Sequence, residues 1–140
     1  MDLALLKNVR PLIIEDEKDI LDSFFTLFDT IFDEFYTARN GEEGLYRFYK
    51  NTPDVIITDL QMPFMGGFRM MERIRMENAE IPIIITSAHS EEEHLARAKA
   101  LRVDDYLRKP FDIDELFEKI YTCCIVKNGS GKINFDHFTL

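Results

Sequence analysis

The chain has 140 residues, a length that suits one domain with a core large enough to fold without disulfides or structural metals. It carries 26 Asp and Glu residues against 17 Lys and Arg residues, and its formal net charge of −9 disfavours binding to nucleic acid or anionic lipid. Because no apolar run reaches the ~20 residues of a membrane span, and because the first seven residues do not resemble a signal peptide, we expect a cytoplasmic protein that does not bind membranes.

Five short apolar runs predict β-strands, and each is followed by a segment with helical periodicity. The predicted strands span residues 11–14, 35–38, 54–59, 81–87 and 105–108. The predicted helices span residues 18–32, residues 42–50, a segment after Gly66 and Gly67, residues 91–101 and residues 113–126. Ser90 is expected to cap the fourth helix in a capping box with Glu93, and Asp112 is expected to cap the last.

Apolar residues at helical spacing define the buried faces that we expect on these helices. The predicted face of the first helix contains Ile20, Leu21, Phe24, Phe25, Leu27, Phe28, Ile31 and Phe32. The predicted face of the third helix contains Phe68, Met71, Ile74 and Met76. Cys123 and Cys124 are adjacent in sequence, so they cannot form an ordinary disulfide and are expected to pack at the end of the last helix.

The alternation of strands and helices predicts an α/β domain with a five-stranded parallel sheet. Parallel strands need crossover connections, and right-handed crossovers place helices on both faces of the sheet. The order 2-1-3-4-5, that of a doubly wound, flavodoxin-like fold, is the common five-stranded choice. We expect residues 1–127 to form this domain, and residues 128–140 to be a linker or the start of a truncated second module.

Several chemically active side chains come directly after the predicted strands. In this strand order the first and third strands are neighbours, so Glu15, Asp16 and Asp59 meet at one edge of the sheet. The fourth and fifth strands bring Ser87 and Lys109 to the same edge. Three crowded carboxylates need a cation, and Mg²⁺ suits a site with few carboxylates and a phosphoryl group. Phosphoryl transfer to Asp59 is the chemistry that this set favours.

The ordered set of motifs resembles the receiver domain of two-component response regulators. The matching residues are Glu15-Asp16, Asp59, Met62-Pro63, Gly67, Ser87-Ala88, Tyr106 and Lys109-Pro110-Phe111. The resemblance covers roughly residues 9–126. Departures occur at Gly66, where the family usually has Asp, and at Arg102-Val103, where Gly-Ala is common.

The resemblance implies a role for each residue of the metal and acceptor site. Asp59 is the expected phosphoacceptor, and it is an expected direct Mg²⁺ ligand together with Asp16 and the backbone carbonyl of Gln61. Glu15 is expected to act through a metal-bound water. Lys109 is expected to bind a phosphoryl oxygen, and the Lys109-Pro110 peptide bond is expected to be cis.

The resemblance also implies a switch and its partners. Ser87 and Tyr106 are the expected switch pair, and Gln61 and His89 occupy positions that tune dephosphorylation in similar proteins. The expected phosphodonor is a sensor histidine kinase or a phosphotransfer protein. The expected output surface is formed by the fourth helix, the fifth strand and the fifth helix, where a homodimer is possible; Asp104, Asp105 and Lys119 are candidates for its cross-subunit pairs.

Three other functions would each require residues or loops that differ from those of this chain. A Mg²⁺-dependent aspartyl-phosphate hydrolase needs a second acid two residues after the nucleophile, where this chain has Gln61. A flavin or nucleotide carrier needs a phosphate-binding loop after the first strand, where acidic residues would repel phosphate. A degenerate interaction module would lack some of the acceptor residues. Taken alone, Asp16 is equally consistent with a cap of the first helix. We therefore expect a signalling phosphoacceptor domain rather than an enzyme, whose only reactions are its own phosphorylation and its slow autodephosphorylation.

Overall fold

The computed structural model of the chain describes residues 1–89 and 91–127. Five parallel strands form one sheet in the order β2-β1-β3-β4-β5, which confirms the predicted topology. The strands are β1 Pro11–Ile14, β2 Tyr36–Ala38, β3 Val55–Thr58, β4 Ile83–Ser87 and β5 Asp105–Arg108. The helices are α1 Lys18–Ile31, α2 Gly41–Asn51, α3 Gly67–Glu77, α4 Glu92–Ala100 and α5 Ile113–Tyr121. The predicted Ser90 cap and the predicted linker at residues 128–140 lie outside the described residues.

The sheet separates two apolar cores, because successive side chains of a strand point to opposite faces. Leu12 and Ile14 of β1 face the core beneath α2, α3 and α4, whereas Ile13 faces the core beneath α1 and α5. Both faces are covered, so the four residues of β1 are all buried. This explains why the central strands β1, β3 and β4 are nearly continuous apolar runs in the sequence rather than alternating ones.

The predicted apolar faces of α1 and α3 were too wide. Leu21, Phe24 and Phe28 are buried on α1, but Phe25 and Leu27 are exposed. Met76 on α3 is 83% exposed, because it lies about 200° around the helix from the buried Ile74. A helix buries one stripe, and an apolar residue beside that stripe stays in solvent unless another element covers it.

The ends of the helices differ in part from the prediction. Asp112 and Glu115 form the capping box of α5, as the predicted cap required. The predicted helix at residues 113–126 ends as an α-helix at Tyr121 and continues as a π-helical turn over Thr122–Val126. Both cysteines are free. In the part of the chain that the structure describes, no helix is both long enough and apolar enough to span a bilayer.

A buried arginine holds the connection between α4 and β5, where the sequence departs from the family pattern. Arg102 has a positive φ of 56°, which glycine adopts more easily. Arg75 on α3 donates hydrogen bonds to the carbonyl oxygens of Leu101 (2.7 Å), Arg102 (3.1 Å) and Ile81 (2.8 Å). The guanidinium of Arg75 therefore holds the backbone of this turn in place. Val103, the next residue after Arg102, is fully buried.

Candidate functional site

The strand ends position the candidate residues through backbone pairing that continues one residue beyond each strand. The backbone N–H of Asp59 donates to the carbonyl of Ile14 at 3.1 Å, and that of Glu15 donates to the carbonyl of Ala38 at 3.0 Å. The backbone N–H of Lys109 donates to the carbonyl of Ser87 at 2.8 Å. These bonds align the residues at the carboxyl edge of the sheet, the edge where ligands bind in open α/β sheets.

Three carboxylates meet at this edge, as the strand order predicted. One carboxylate oxygen each from Glu15, Asp16 and Asp59 lies within 4.8 Å of the others. Glu15 and Asp59 are buried, and Asp16 is partly exposed. Hard divalent cations prefer oxygen ligands, and Mg²⁺ is held by one or two carboxylates and keeps several waters. The donor set therefore fits Mg²⁺. The alternative that Asp16 caps α1 is not supported, because Glu17 is the residue at that cap position.

Lys109 supplies the positive charge that the carboxylates need. Its Nζ donates to Glu15 Oε1 at 2.7 Å and to Asp59 Oδ2 at 3.2 Å. Burial raises the pKa of Glu15, and the charge of Asp59 adds to this effect, while Lys109 opposes it. Burial alone would lower the pKa of Lys109, but the hydrogen bond to Glu15 and the two negative charges raise it overall. Lys109 therefore stays protonated between the two acids. Its peptide bond to Pro110 is cis, which confirms that prediction.

The two oxygens of Asp59 have different partners. The backbone N–H of Leu60 donates to Oδ1 at 2.7 Å, while Oδ2 accepts from Lys109. The start of α3 packs closely behind this residue, because a Cβ at Gly67 would lie 2.3 Å from the carbonyl oxygen of Asp59. Glycine is therefore required at position 67, because the backbone at the start of α3 lies too close to the backbone of Asp59 for a side chain to fit between them.

Ser87, His89 and Tyr106 form a hydrogen-bonded group beside the carboxylates. The backbone N–H of His89 donates to Ser87 Oγ at 3.0 Å, and the Tyr106 hydroxyl donates to the carbonyl oxygen of His89. Both Ser87 and Tyr106 are buried. Burial raises the pKa of Tyr106, although a hydrogen bond with Ser87 opposes the shift, so the phenol stays protonated. The predicted switch pair is therefore linked through the backbone of His89.

The remaining predicted residues have other surroundings. Gln61 is exposed in the loop after β3, two residues beyond Asp59. Of the residues suggested for cross-subunit pairs, Lys119 and Asp105 form an ion pair within the chain at 3.1 Å. Asp104 is buried, and its Oδ1 accepts from the backbone N–H of Ile83 at 3.1 Å.

Two neighbours of the site were missed by the sequence analysis. Arg39, at the end of β2, donates from Nη2 to the carbonyl oxygen of Asp16 at 3.2 Å. Phe64, in the loop after β3, lines a cavity together with Asp16. A basic residue at the tip of the strand beside β1 is a signal that could have identified Arg39. The orientation of Phe64 has no signal in the sequence.

An apolar groove of about 620 Å³ lies beside the site, between α1 and the start of α5. Its apolar lining includes Ile20, Phe24, Leu27, Phe111 and Ile113. Ala88 and Lys109 also line the groove, and Lys109 contacts the carboxylates of Glu15 and Asp59. The carboxyl edge of the sheet is therefore continuous with an apolar surface.

The sequence matches the family described as response regulator receiver domain over residues 12–121. It is 35% identical over 107 residues to the regulatory protein AtoC of Escherichia coli, which covers 76% of this chain and 23% of AtoC. It is 31% identical over 131 residues to the transcriptional regulatory protein CiaR of Streptococcus pneumoniae, which covers 94% of this chain and 57% of CiaR. The chain thus spans from about a quarter to just over half of the length of these relatives.

A solved structure shows the same likeness. The N-terminal domain of an uncharacterized protein, WS1339, from Wolinella succinogenes superposes with a TM-score of 0.81 at 35% identity. The superposition covers 89% of this chain and 100% of that one. The family match over most of the chain, the strand order and the edge that gathers Glu15, Asp16, Asp59 and Lys109 lead to one conclusion: this chain belongs to the response regulator receiver domain family.

Proposed function

We propose that this domain accepts a phosphoryl group on Asp59 from a phosphohistidine of a sensor histidine kinase or phosphotransfer protein, in a Mg²⁺-dependent reaction. The observation that carries the proposal is the position of Asp59, which lies among two other carboxylates and accepts a hydrogen bond from Lys109. A carboxylate in this setting is a nucleophile whose surroundings compensate the charge of an incoming phosphoryl group.

The chain's own residues account for the chemistry of transfer. A carboxylate oxygen of Asp59 forms a bond to phosphorus while the phosphorus–nitrogen bond of the donor breaks, and the imidazole keeps the electron pair and takes up a proton. The product is an acyl phosphate. Lys109, whose Nζ already contacts Asp59 Oδ2, moves to a phosphoryl oxygen and so offsets its negative charge.

The carboxylate cluster would hold the metal. Asp16, Asp59 and the backbone carbonyl of Gln61 would be direct ligands, and Glu15 would act through a water. When bound, Mg²⁺ neutralises charge on the transferred group and orients it. Burial raises the pKa of Glu15, and a bound cation would oppose that shift, as the charge of Lys109 does in the free domain.

The group formed by Ser87, His89 and Tyr106 would convert phosphorylation into a change of surface. A phosphoryl group on Asp59 offers an acceptor for the Ser87 hydroxyl, which now accepts from the His89 backbone. Movement of Ser87 would break its hydrogen bond with the backbone of His89, which also accepts a hydrogen bond from the Tyr106 hydroxyl. This change would shift the conformation of the face formed by α4, β5 and α5. Gln61 and His89 would tune dephosphorylation. An output partner, an effector domain or a second copy of the chain would bind this face.

The groove between α1 and α5 supports the choice of a protein as phosphodonor. Its lining combines apolar residues of α1 and the start of α5 with Lys109, which contacts Glu15 and Asp59. Small phosphodonors need no such surface. A protein that carries phosphohistidine can bury the exposed Leu27 while its imidazole reaches Asp59.

Incubation with acetyl phosphate and Mg²⁺, followed by intact-protein mass spectrometry, tests the acceptor chemistry. We expect one phosphoryl group per chain, none in Asp59→Asn, and none when a chelator removes the metal. Asp54→Asn is the matched control, because Asp54 forms a partly exposed ion pair with Arg10 away from the site. The absence of phosphoryl uptake in the intact protein would refute the proposal. Many turnovers of phosphate release per chain would favour the alternative function, a Mg²⁺-dependent aspartyl-phosphate hydrolase.

A further inference from the structure

Phe64 combines two unfavourable features in one residue. Its side chain is 86% exposed, the highest value among the large apolar side chains exposed in the described part of the chain. Its φ is 68°, a left-handed value that is rare for a bulky residue. Thr52 and Arg102 also have positive φ, but each lies at or just after the end of a helix, where this conformation is common. Phe64 ends no helix.

The backbone around Phe64 forms a tight turn that is hydrogen-bonded to the start of α2. The backbone N–H of Met65 donates to the carbonyl of Pro63 at 2.7 Å, which with the positive φ of Phe64 defines a classic γ-turn, a rare and strained conformation. The backbone N–H of Gly41, at the start of α2, donates to the carbonyl of Met65 at 2.9 Å. The ring is therefore presented on a fixed backbone rather than on a mobile loop.

Folding of the isolated domain does not account for phenylalanine at this position. Gly or Asn adopts a positive φ at lower cost, and a polar side chain suits a site that is almost wholly in water. Backbone strain of this kind persists mainly at binding and switching sites. Aromatic residues, Phe among them, are also enriched in protein interfaces relative to the rest of the surface.

The position of Phe64 identifies the kind of partner. The residue lines a cavity of about 280 Å³ together with Asp16, Arg39, Asn40, Glu43 and Pro63. Asp16 also belongs to the carboxylate cluster, so the ring borders the mouth of the acceptor site. The ring lies near the start of α2, whereas the apolar groove lies on the side of α1 and α5. A protein that covers the mouth of the acceptor site can contact both the Phe64 ring and the apolar groove.

We propose that Phe64 is a specificity-determining contact for the protein that donates the phosphoryl group, an inference that rests on the proposed function. The donor presents an apolar pocket close to its phosphohistidine, and the Phe64 ring enters that pocket when the histidine lies against Asp59. A small phosphodonor reaches Asp59 without touching the ring. Phe64 therefore affects transfer from proteins and leaves transfer from small molecules unchanged.

Two donors separate this role from the acceptor chemistry. The first is acetyl phosphate, and the second is a panel of purified, autophosphorylated sensor kinase catalytic cores, from which the fastest donor to the wild-type chain is selected. For Phe64→Asn, we expect kcat/KM with that kinase to fall about fivefold or more, as for an interface contact of at least moderate importance. Loading by acetyl phosphate and the thermal midpoint should not fall. Phe64→Tyr, which keeps the ring, should transfer at the wild-type rate.

Met76→Asn is the matched control, because Met76 is also an almost fully exposed apolar side chain but lies at the far end of α3. It should not affect either donor. Equal kinase transfer to wild type and Phe64→Asn would overturn the inference, as would an equal loss with both donors. Loading by acetyl phosphate with no transfer from any kinase would also overturn it while leaving the acceptor chemistry intact. A wild-type chain that neither donor loads would refute the proposed function itself.

Discussion

Replacing Lys109 with Met removes the positive charge between Glu15 and Asp59 but keeps an unbranched side chain of similar length. Glu15 is 1% exposed and Lys109 is 18% exposed, so the carboxylate loses its counter-charge in a place that water hardly reaches. Removing one partner of a fully buried ion pair costs about 3–5 kcal/mol. Because Lys109 is partly solvated, we expect the variant to lose about 2 kcal/mol of unfolding free energy near pH 7.

The pH dependence has a definite sign. Burial already raises the pKa of Glu15 in the folded chain above its value in the unfolded chain, and loss of Lys109 raises it further. A carboxyl with a raised folded pKa destabilises the folded state as the pH rises above its unfolded pKa of about 4.3. The difference in stability between wild type and variant should therefore narrow as the pH falls from about 7 to about 5.

Urea denaturation followed by circular dichroism at both pH values measures this difference. The control is Lys18→Met, because Lys18 and Asp22 form an exposed pair whose loss should change stability by less than about 0.5 kcal/mol. Added Mg²⁺ should stabilise Lys109→Met more than wild type, since a cation then occupies the space between the carboxylates. A Lys109→Met variant as stable as wild type, or a difference that does not change with pH, would refute this account of the site.

Three further substitutions test the packing. Gly67→Ala places a methyl group 2.3 Å from the carbonyl oxygen of Asp59. It should lower the unfolding free energy measured by urea denaturation by about 1–3 kcal/mol and should slow loading by acetyl phosphate, whereas wild-type stability would contradict the close approach. Phe28→Ala removes a fully buried ring and should cost about 3–5 kcal/mol, whereas the half-exposed Phe25→Ala should cost less than about 1 kcal/mol; equal losses would contradict the assigned face of α1. Thr52→Gly relieves a φ of 45° and should raise the unfolding free energy by about 0.5–1 kcal/mol; a lower thermal midpoint would contradict that strain.

The sequence predicted the fold well because its signals are local and strong. The strands β1, β3 and β4 are short runs rich in β-branched residues and buried on both faces, and each strand is joined to the next parallel strand by a crossover that contains a helix. The errors fell at the borders of buried surfaces. Phe25 and Met76 have the right residue type for a core, but helical rotation directs them into solvent. The last helix changes to a π-helical turn after Tyr121, earlier than the predicted end of the helix.

Contacts between segments far apart in the sequence could be predicted only for residues at strand ends, because the strand order determines which strand ends are neighbours. The meeting of Glu15, Asp16 and Asp59 follows from the strand order, which the sequence favoured, and each of the three lies just beyond a strand. The pairing of Lys119 with Asp105 does not follow from it, because a side chain on a helix can reach several partners. The residues suggested for pairs between two copies were therefore found in contacts within one chain.

The sequence by itself determined which acid lies at the end of the third strand and which residues the fold brings to its side. That information is contained in strand periodicity, in turn residues and in the order of a few motifs. Only the tertiary structure decided how Asp59 is held, with Leu60 and Lys109 on its separate oxygens, and how Phe64 is turned outward beside it. Loop conformation and side-chain partners depend on packing between segments far apart in the chain, and no local pattern in the sequence encodes them.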